Sequence, residues 1–335
     1  MQIDLKTLAI EPLRPAYDHL VKRFGNKPAT RYQEASYDLQ AEEQLHYRPT
    51  WDPAHALYDK SWSKIVMQDW QALKDPRQYY YSTYTLARAK QQDTAEANFQ
   101  FVSNYGLFAA MPEALRTTAR QLLVPLRHAA WGSNLNNTFI CGYGYGAPFT
   151  QPCIYQAMDQ LGIAQYLSRI GLLLGDTEAL DEAKQDWMSG EAWQALRRYT
   201  EDCMVVRDPV EVFVAQNVAM DGLLYPLVYE RVIDDAWSLQ GGSSLALLTQ
   251  FMSEWHAETR TWVDAVLKVM AAESDANRQQ LDAWLQHWGT RAAAALLPVL
   301  SIALPEGAPG GNADAAMTEY RAAFQARMAK LGLNA

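Results

Sequence analysis

From about residue 60 onward the apolar positions recur at threes and fours, the spacing that lines one face of an α-helix. In "DPVEVFVAQNVAMDGLLYPLVYERV" (208–232), Val210, Phe213, Met220, Leu223, Leu224 and Leu227 form such a stripe, with Asp208 placed to cap the start and Pro209 suited to the first turn. The pattern predicts a long, mostly buried helix. A second is predicted beyond Gly241 and Gly242, where Leu248, Phe251, Met252, Trp255, Trp262, Val266 and Met270 make another stripe, and Ser274 caps a third that runs to about Leu297. Earlier, "TAEANFQFVSNYGLFAAM" (94–111), the segment from Pro112 to about Trp131 and "QPCIYQAMDQLGIAQYLSRIGLLL" (151–174) read the same way. The period-two alternation of strands is missing, so the predicted class is all-α, a helical bundle.

The N-terminal part is patterned differently. From Lys27 to Trp62, Pro28, Pro49 and Pro53 interrupt any helix and no apolar period is sustained. The same stretch carries Tyr32, Tyr37, Tyr47, Trp51, Tyr58 and Trp62, whereas disordered segments are poor in aromatics. Tyr, Trp and Arg are enriched at protein interfaces, so the segment reads as an arm that packs on a surface, either a partner's or that of its own bundle. Near the other end, "PEGAPGGNAD" (305–314) reads as a linker before a short terminal helix. The expected division is an extended N-terminal docking arm over 1–58, a helical domain over 59–302, and a linker with a short helix over 303–335.

Composition narrows the function. The 335 residues are 49% hydrophobic with a formal net charge of −9, enough chain for a large core and the wrong balance for a nucleic-acid partner. The start, "MQIDLKTLAIEPLRP", lacks the charged and apolar regions of a secretory signal. The longest apolar run, "AAAALLPVLSIAL" (292–304), is too short to span a bilayer and contains Pro298. A soluble, cytoplasmic protein without a membrane partner is expected. Cys141, Cys153 and Cys203 have no C-x-x-C spacing, which fits free thiols in a reducing compartment.

Helical bundles that hold two metal ions use about four carboxylates and two histidines, with Glu-x-x-His pairs placing two ligands on one face. In "LLVPLRHAAWGSN" (122–134) His128 is present, but Pro125 stands where the glutamate belongs. His256 likewise has Ser253 three residues before it, and the 208–232 stripe carries the neutral Gln216, with Asp221 a turn away and read as paired within a core. Glu-x-x-His occurs once, at Glu43 and His46, in the proline-broken arm; Asp52 and His55 follow with the same spacing. "CGYGYGAPF" (141–149) follows a helix and lacks Lys-Ser/Thr, so it reads as a close helix connection, not a phosphate loop. No Gly-x-Ser-x-Gly is present.

Five ordered blocks carry a resemblance across nearly the whole chain: "LHYRPTWDPAHALYDKSW" (45–62), "DPRQYYYSTYTLARAK" (75–90), "LLVPLRHAAWGSNLNN" (122–137), "CGYGYG" (141–146) and "VAQNVAMDGLLYPLVYERV" (214–232). Together they resemble the β subunit of the hydroxylase component of bacterial multicomponent monooxygenases, most closely that of phenol hydroxylase. The resemblance implies a ferritin-like helical bundle in an (αβγ)2 assembly, served by a reductase and an effector protein. It also implies that the di-iron centre belongs to the α subunit and that this chain holds no cofactor, metal or catalytic residue of its own. On this reading Pro125 and Ser253 replace two ligand glutamates, His128 and His256 are left behind, Gln216 stands near a bridging carboxylate, and a further lost ligand falls near Ala95 or Glu96. The expected partner contacts are Tyr47, Arg48, Trp51, Asp52 and Pro53. The alternative is a self-sufficient helical metalloenzyme using an unusual set such as Glu43, His46, Asp52 and His55.

Overall fold

The computed structural model describes residues 13–43, 47–307 and 311–335; His46, one of the candidate ligands, lies outside them, as do the first twelve residues and part of the expected linker. In chain order the helices are α1 (Asp18–Phe24), α2 (Arg31–Ser36), α3 (Tyr81–Asn104), α4 (Leu107–Ala110), α5 (Glu113–Leu123), α6 (Leu126–Tyr143), α7 (Ala147–Ser189) and α8 (Glu191–Met204). A continuous central stretch follows, α9 (Pro209–Phe213), a π segment (Val214–Met220), α10 (Asp221–Tyr225) and a second π segment (Pro226–Trp237). Then come α11 (Ser243–Glu273), α12 (Asp275–Ala303) and α13 (Ala313–Lys330). No strand occurs among the described residues.

The central stretch starts where its sequence says it should. Asp208 Oδ1 accepts from the backbone N–H groups of Val210 (2.9 Å) and Glu211 (3.2 Å), and its Oδ2 accepts from that of Lys64 (2.7 Å). Around it pack α6, α11 and α12, so that every residue from Val212 to Asp221 is buried. Ser274 caps α12 through the N–H of Asn277 (3.1 Å), and that helix runs on through Pro298 to Ala303 because Val299, Leu300 and Ala303 remain in the core.

Three predicted helices have other bounds. The 94–111 segment begins as α3 at Tyr81 and breaks at Gly106, whose φ of 60° is left-handed. The segment after Pro112 is two helices, parted at Val124 and Pro125, because proline cannot donate to the preceding turn. The 151–174 helix is part of α7, which extends to Ser189 across a break at Gly175 and Asp176. The glycine-rich run closes the α6–α7 hairpin, and a Cβ on Gly146 would meet the Trp70 carbonyl oxygen at 3.3 Å.

The arm is more ordered than its prolines suggest. Thr30 and Gln33 form a reciprocal capping box at the head of α2, with Gln33 N–H donating to Thr30 Oγ1 (3.2 Å) and Thr30 N–H to Gln33 Oε1 (2.9 Å). Ala16, Leu20, Tyr32 and Tyr37 make a small core of their own. Arg23 joins Asp38 (2.7 Å) to Asp69 (2.6 Å), the Asp75 N–H donates to Tyr32 OH (2.8 Å), and Ser36 donates to Gln151 on α7 (2.9 Å). At the C-terminus α13 seats Phe324 over Gly222, where a Cβ would come within 3.2 Å of the ring, and Arg327 pairs with Asp264 (2.6 Å).

Candidate functional site: the polar layer of the bundle

The residues expected to contact a partner split into two groups. Tyr47, Arg48 and Pro53 are exposed. Trp51 is half-covered by its own chain, 5.3 Å from the Trp62 ring and 5.4 Å from that of Tyr143 at the end of α6, with the Arg207 guanidinium 5.4 Å over its face. Asp52 accepts from His55 Nδ1 (3.0 Å) and lies 3.7 Å from Arg207 Nη1; the His55 hydrogen bond holds its carboxyl below the usual range. Asp52 and His55 are therefore engaged with each other, and Glu43 is exposed. Among the described residues no three His, Cys, Asp or Glu side chains come together as a metal ion requires.

The positions matched to lost ligands have different surroundings. His128 stacks on Trp187 at 5.6 Å near Arg127, and burial with that neighbouring charge pushes its pKa down to about 4. His256 lies flat on Tyr225, 4.9 Å away and 7° from parallel, and burial pushes it down to about 3. Pro125 heads α6, and Ser253 Oγ is buried without a partner. Ala95 and Glu96 are on α3, outside the central group, where Glu96 pairs with Arg169 of α7 (2.5 Å). Gln216, the remaining matched position, belongs to a buried polar layer.

That layer is built from amides. Asn136 on α6 donates to Gln216 Oε1 (2.9 Å), and Gln216 Nε2 donates to Asp221 Oδ1 (2.8 Å). Gln156 on α7 reaches the other Asp221 oxygen (3.5 Å) and accepts from Thr259 of α11 (3.0 Å). Asn137 and Asn217 bond reciprocally (2.9 and 2.8 Å), and Gln160 donates to Tyr225 OH (2.9 Å). Four helices are thus tied through neutral side chains, satisfying groups that burial would otherwise penalise. Asp221 is the one carboxyl in this set and faces no cation; burial pushes its pKa up to about 7, against the amide hydrogen bonds.

Chemically the layer can hold a proton on Asp221 and little else. A cavity of about 20 Å³, lined in part by Ser133, Gln160, Gln216, Asp221 and Tyr225, is large enough for one water. The donor set does not fit two cations, which need several carboxylates to balance their charge. Gln216 and Asp221 were legible as polar breaks in an apolar stripe. Gln156, Gln160, Asn136, Asn137, Asn217 and Thr259 were missed, although amides at core-facing helical positions are themselves a signal. Outside the layer, Arg88 of α3 makes a bidentate pair with Asp159 (2.9 and 2.8 Å) and bonds Glu258 (3.0 Å), joining α3, α7 and α11.

Comparison with known proteins adds the family. The model of the Methane/Phenol/Alkene Hydroxylase family matches residues 51–274. The chain belongs to this family. It is 49% identical to the phenol 2-monooxygenase oxygenase component DmpL of Pseudomonas sp. strain CF600, over 99% of this chain and 98% of that one. It is 22% identical to the hydroxylase component subunit beta of the toluene-4-monooxygenase system of Ectopseudomonas mendocina, over 81% and 88% of the two chains. Among solved structures, phenol hydroxylase from Pseudomonas sp. OX1, a xenon-pressurised crystal, superposes with a TM-score of 0.91 at 43% identity, covering 99% of both chains. Toluene 4-monooxygenase, at 19% identity and a TM-score of 0.77 over 88% of this chain and 99% of that one, shares the helical fold.

Proposed function

We propose that this chain is the non-catalytic structural β subunit of a phenol- or toluene-type monooxygenase hydroxylase. It supports a catalytic α subunit that carries the di-iron centre and inserts one oxygen atom from O2 into an aromatic ring with NAD(P)H-derived electrons. In this reading the assembly is (αβγ)2, works in the cytoplasm, and receives a reductase and an effector protein. The observation that carries the proposal is the bundle's central hydrogen-bonded layer, where the carboxyl of Asp221 is held by the amides of Gln156 and Gln216, with Gln160 beside them on Tyr225. The identity to an oxygenase component over nearly the full length supports the same reading.

Nothing favours the self-sufficient metalloenzyme. Asp52 and His55, two of the residues its ligand set would use, are bonded to each other at the arm's base. Iron analysis decides the point. The purified chain is expected to hold far less than one iron and to leave phenol unchanged under O2 with a reductant; about two irons per chain with oxygen-dependent hydroxylation would refute the structural role.

A further inference from the structure

The polar layer leaves hydrogen-bonding groups over, and they meet at one place. Gln160 Nε2 donates to Tyr225 OH (2.9 Å), so the carbonyl end of that amide and the hydroxyl hydrogen of Tyr225 have no partner among the described residues. Asp221 is similarly placed. Its two oxygens accept from Gln216 Nε2 (2.8 Å) and Gln156 Nε2 (3.5 Å), while the oxygens of those amides are turned to Asn136 (2.9 Å) and Thr259 (3.0 Å). Among the described residues no acceptor therefore faces a hydrogen carried by the Asp221 carboxyl. Ser133 Oγ accepts from Asn137 at 3.4 Å, and its own hydrogen is likewise left over.

All four of these side chains border the cavity of about 20 Å³, and each residue is at most 5% exposed. They come from α6, α7 and the two ends of α10. Size and chemistry together select the occupant. One water takes roughly 10–15 Å³, whereas an apolar guest such as benzene needs on the order of 150 Å³, so the space excludes an organic ligand. The groups on offer are of both kinds: hydroxyl hydrogens from Tyr225 and Ser133, a carbonyl oxygen from Gln160, and a carboxyl that donates as the acid and accepts as the carboxylate. A cation would meet the hydrogens and an anion the carboxyl oxygens. Water alone answers both.

We propose that this cavity is a binding site for a single internal water, which joins Asp221 to Gln160 and Tyr225 and so ties α7 to both ends of α10. With the carboxyl protonated, the water accepts from Asp221 and Tyr225 and donates to Gln160 Oε1. With it ionised, the water turns and donates to Asp221 as well. The site holds in either state. Burial favours the protonated form, and the water gives that hydrogen its acceptor. Without it, several buried polar groups would keep the full cost of leaving solvent. Because the surrounding helices seal the cavity, the water leaves only when they part, and its residence is long.

The test uses the full chain and no partner, so its result stands apart from the subunit reading. Oxygen-17 relaxation dispersion in enriched water counts internal waters that stay longer than the molecule tumbles, and a crystal of the same chain shows where they sit. Two variants locate the one in question. Gln160→Leu with Tyr225→Phe removes two of its partners at nearly constant volume, and Ala130→Val, on the cavity wall, takes its space while leaving every polar group in place. The expected result is density for one water within hydrogen-bond reach of Asp221, Gln160 and Tyr225 in the natural chain, and a count lower by one in each variant. No density there in the natural chain, or a folded variant that keeps the full count, would overturn the site. Should the double variant fail to fold, Ala130→Val gives the same reading.

Discussion

Asp221 is a buried carboxyl whose partners among the described residues are amides, and that gives its titration a definite sign. Its ordinary value is 3.8 and burial raises it to about 7, so across that interval the folded chain holds a proton that the unfolded chain has released. Stability therefore falls as pH rises from about 4 to about 7, by up to about 4 kcal/mol at roughly 1.4 kcal/mol per unit, and is then level. His256 works the other way. Its pKa is lowered from 6.5 to about 3, so the unfolded chain takes up the proton first and stability rises with pH over that window. The two slopes oppose one another between about pH 4 and 6.5 and flatten the profile of the natural chain. Asp221→Asn removes one of them. Urea unfolding between pH 5 and 8 should show the variant gaining on the natural chain as pH rises, with the largest advantage at pH 8; a variant less stable than the natural chain at pH 8 would contradict the neutral-acid assignment.

Elements were legible where a cap and a stripe agreed. Asp208 with Pro209, and Ser274, start helices as their chemistry requires, and the stripe of α11 is buried residue for residue. The Thr30 and Gln33 capping box was equally readable but was outweighed by the prolines around it. The two π segments were not readable, because their residues keep good helical spacing and no residue type marks the wider turn; the first is wholly buried, whereas the second exposes Glu230, Asp234 and Asp235. Register between helices was the larger difficulty. A search for His-centred ligand pairs singled out His128 and His256, whereas the layer that forms is set by Gln156 and Gln160, and amides carry no motif. One element-scale detail is directly testable. Asp176, in the break of α7, has φ 53° and ψ −151°, a backbone region that is essentially glycine's own, and its side chain is exposed. Asp176→Gly is expected to stabilise the chain by about 1 kcal/mol, seen as a higher melting temperature. An unchanged or lower one would show that the break is not strained.

At the scale of the whole molecule the open question is what the arm is for. Its aromatic content was legible, but sequence alone left a partner's surface and the chain's own bundle as equal destinations, since both bury Tyr and Trp in the same way. The geometry divides the arm. Tyr32, Tyr37 and Trp62 are buried within the chain, and Trp51 closes a cluster with Trp62 and Tyr143, so removing residues 1–56 deletes Tyr32, Tyr37 and Trp51, uncovers Trp62 and Tyr143, and breaks the Arg23, Asp38 and Asp69 link. The truncated chain should keep its helical signal and melt at a lower temperature, and Trp51→Ala alone should cost about 2 kcal/mol, less than a fully buried Trp because its ring is partly exposed. Tyr47 and Arg48 reach solvent instead. The double variant Tyr47→Ala, Arg48→Ala should melt like the natural chain, which makes co-purification with the catalytic subunit a clean reading of docking by that loop. Lost assembly at unchanged melting would assign the loop to the partner. Full assembly would leave the arm as a strap over its own bundle, and a truncation that melts unchanged would refute the strap.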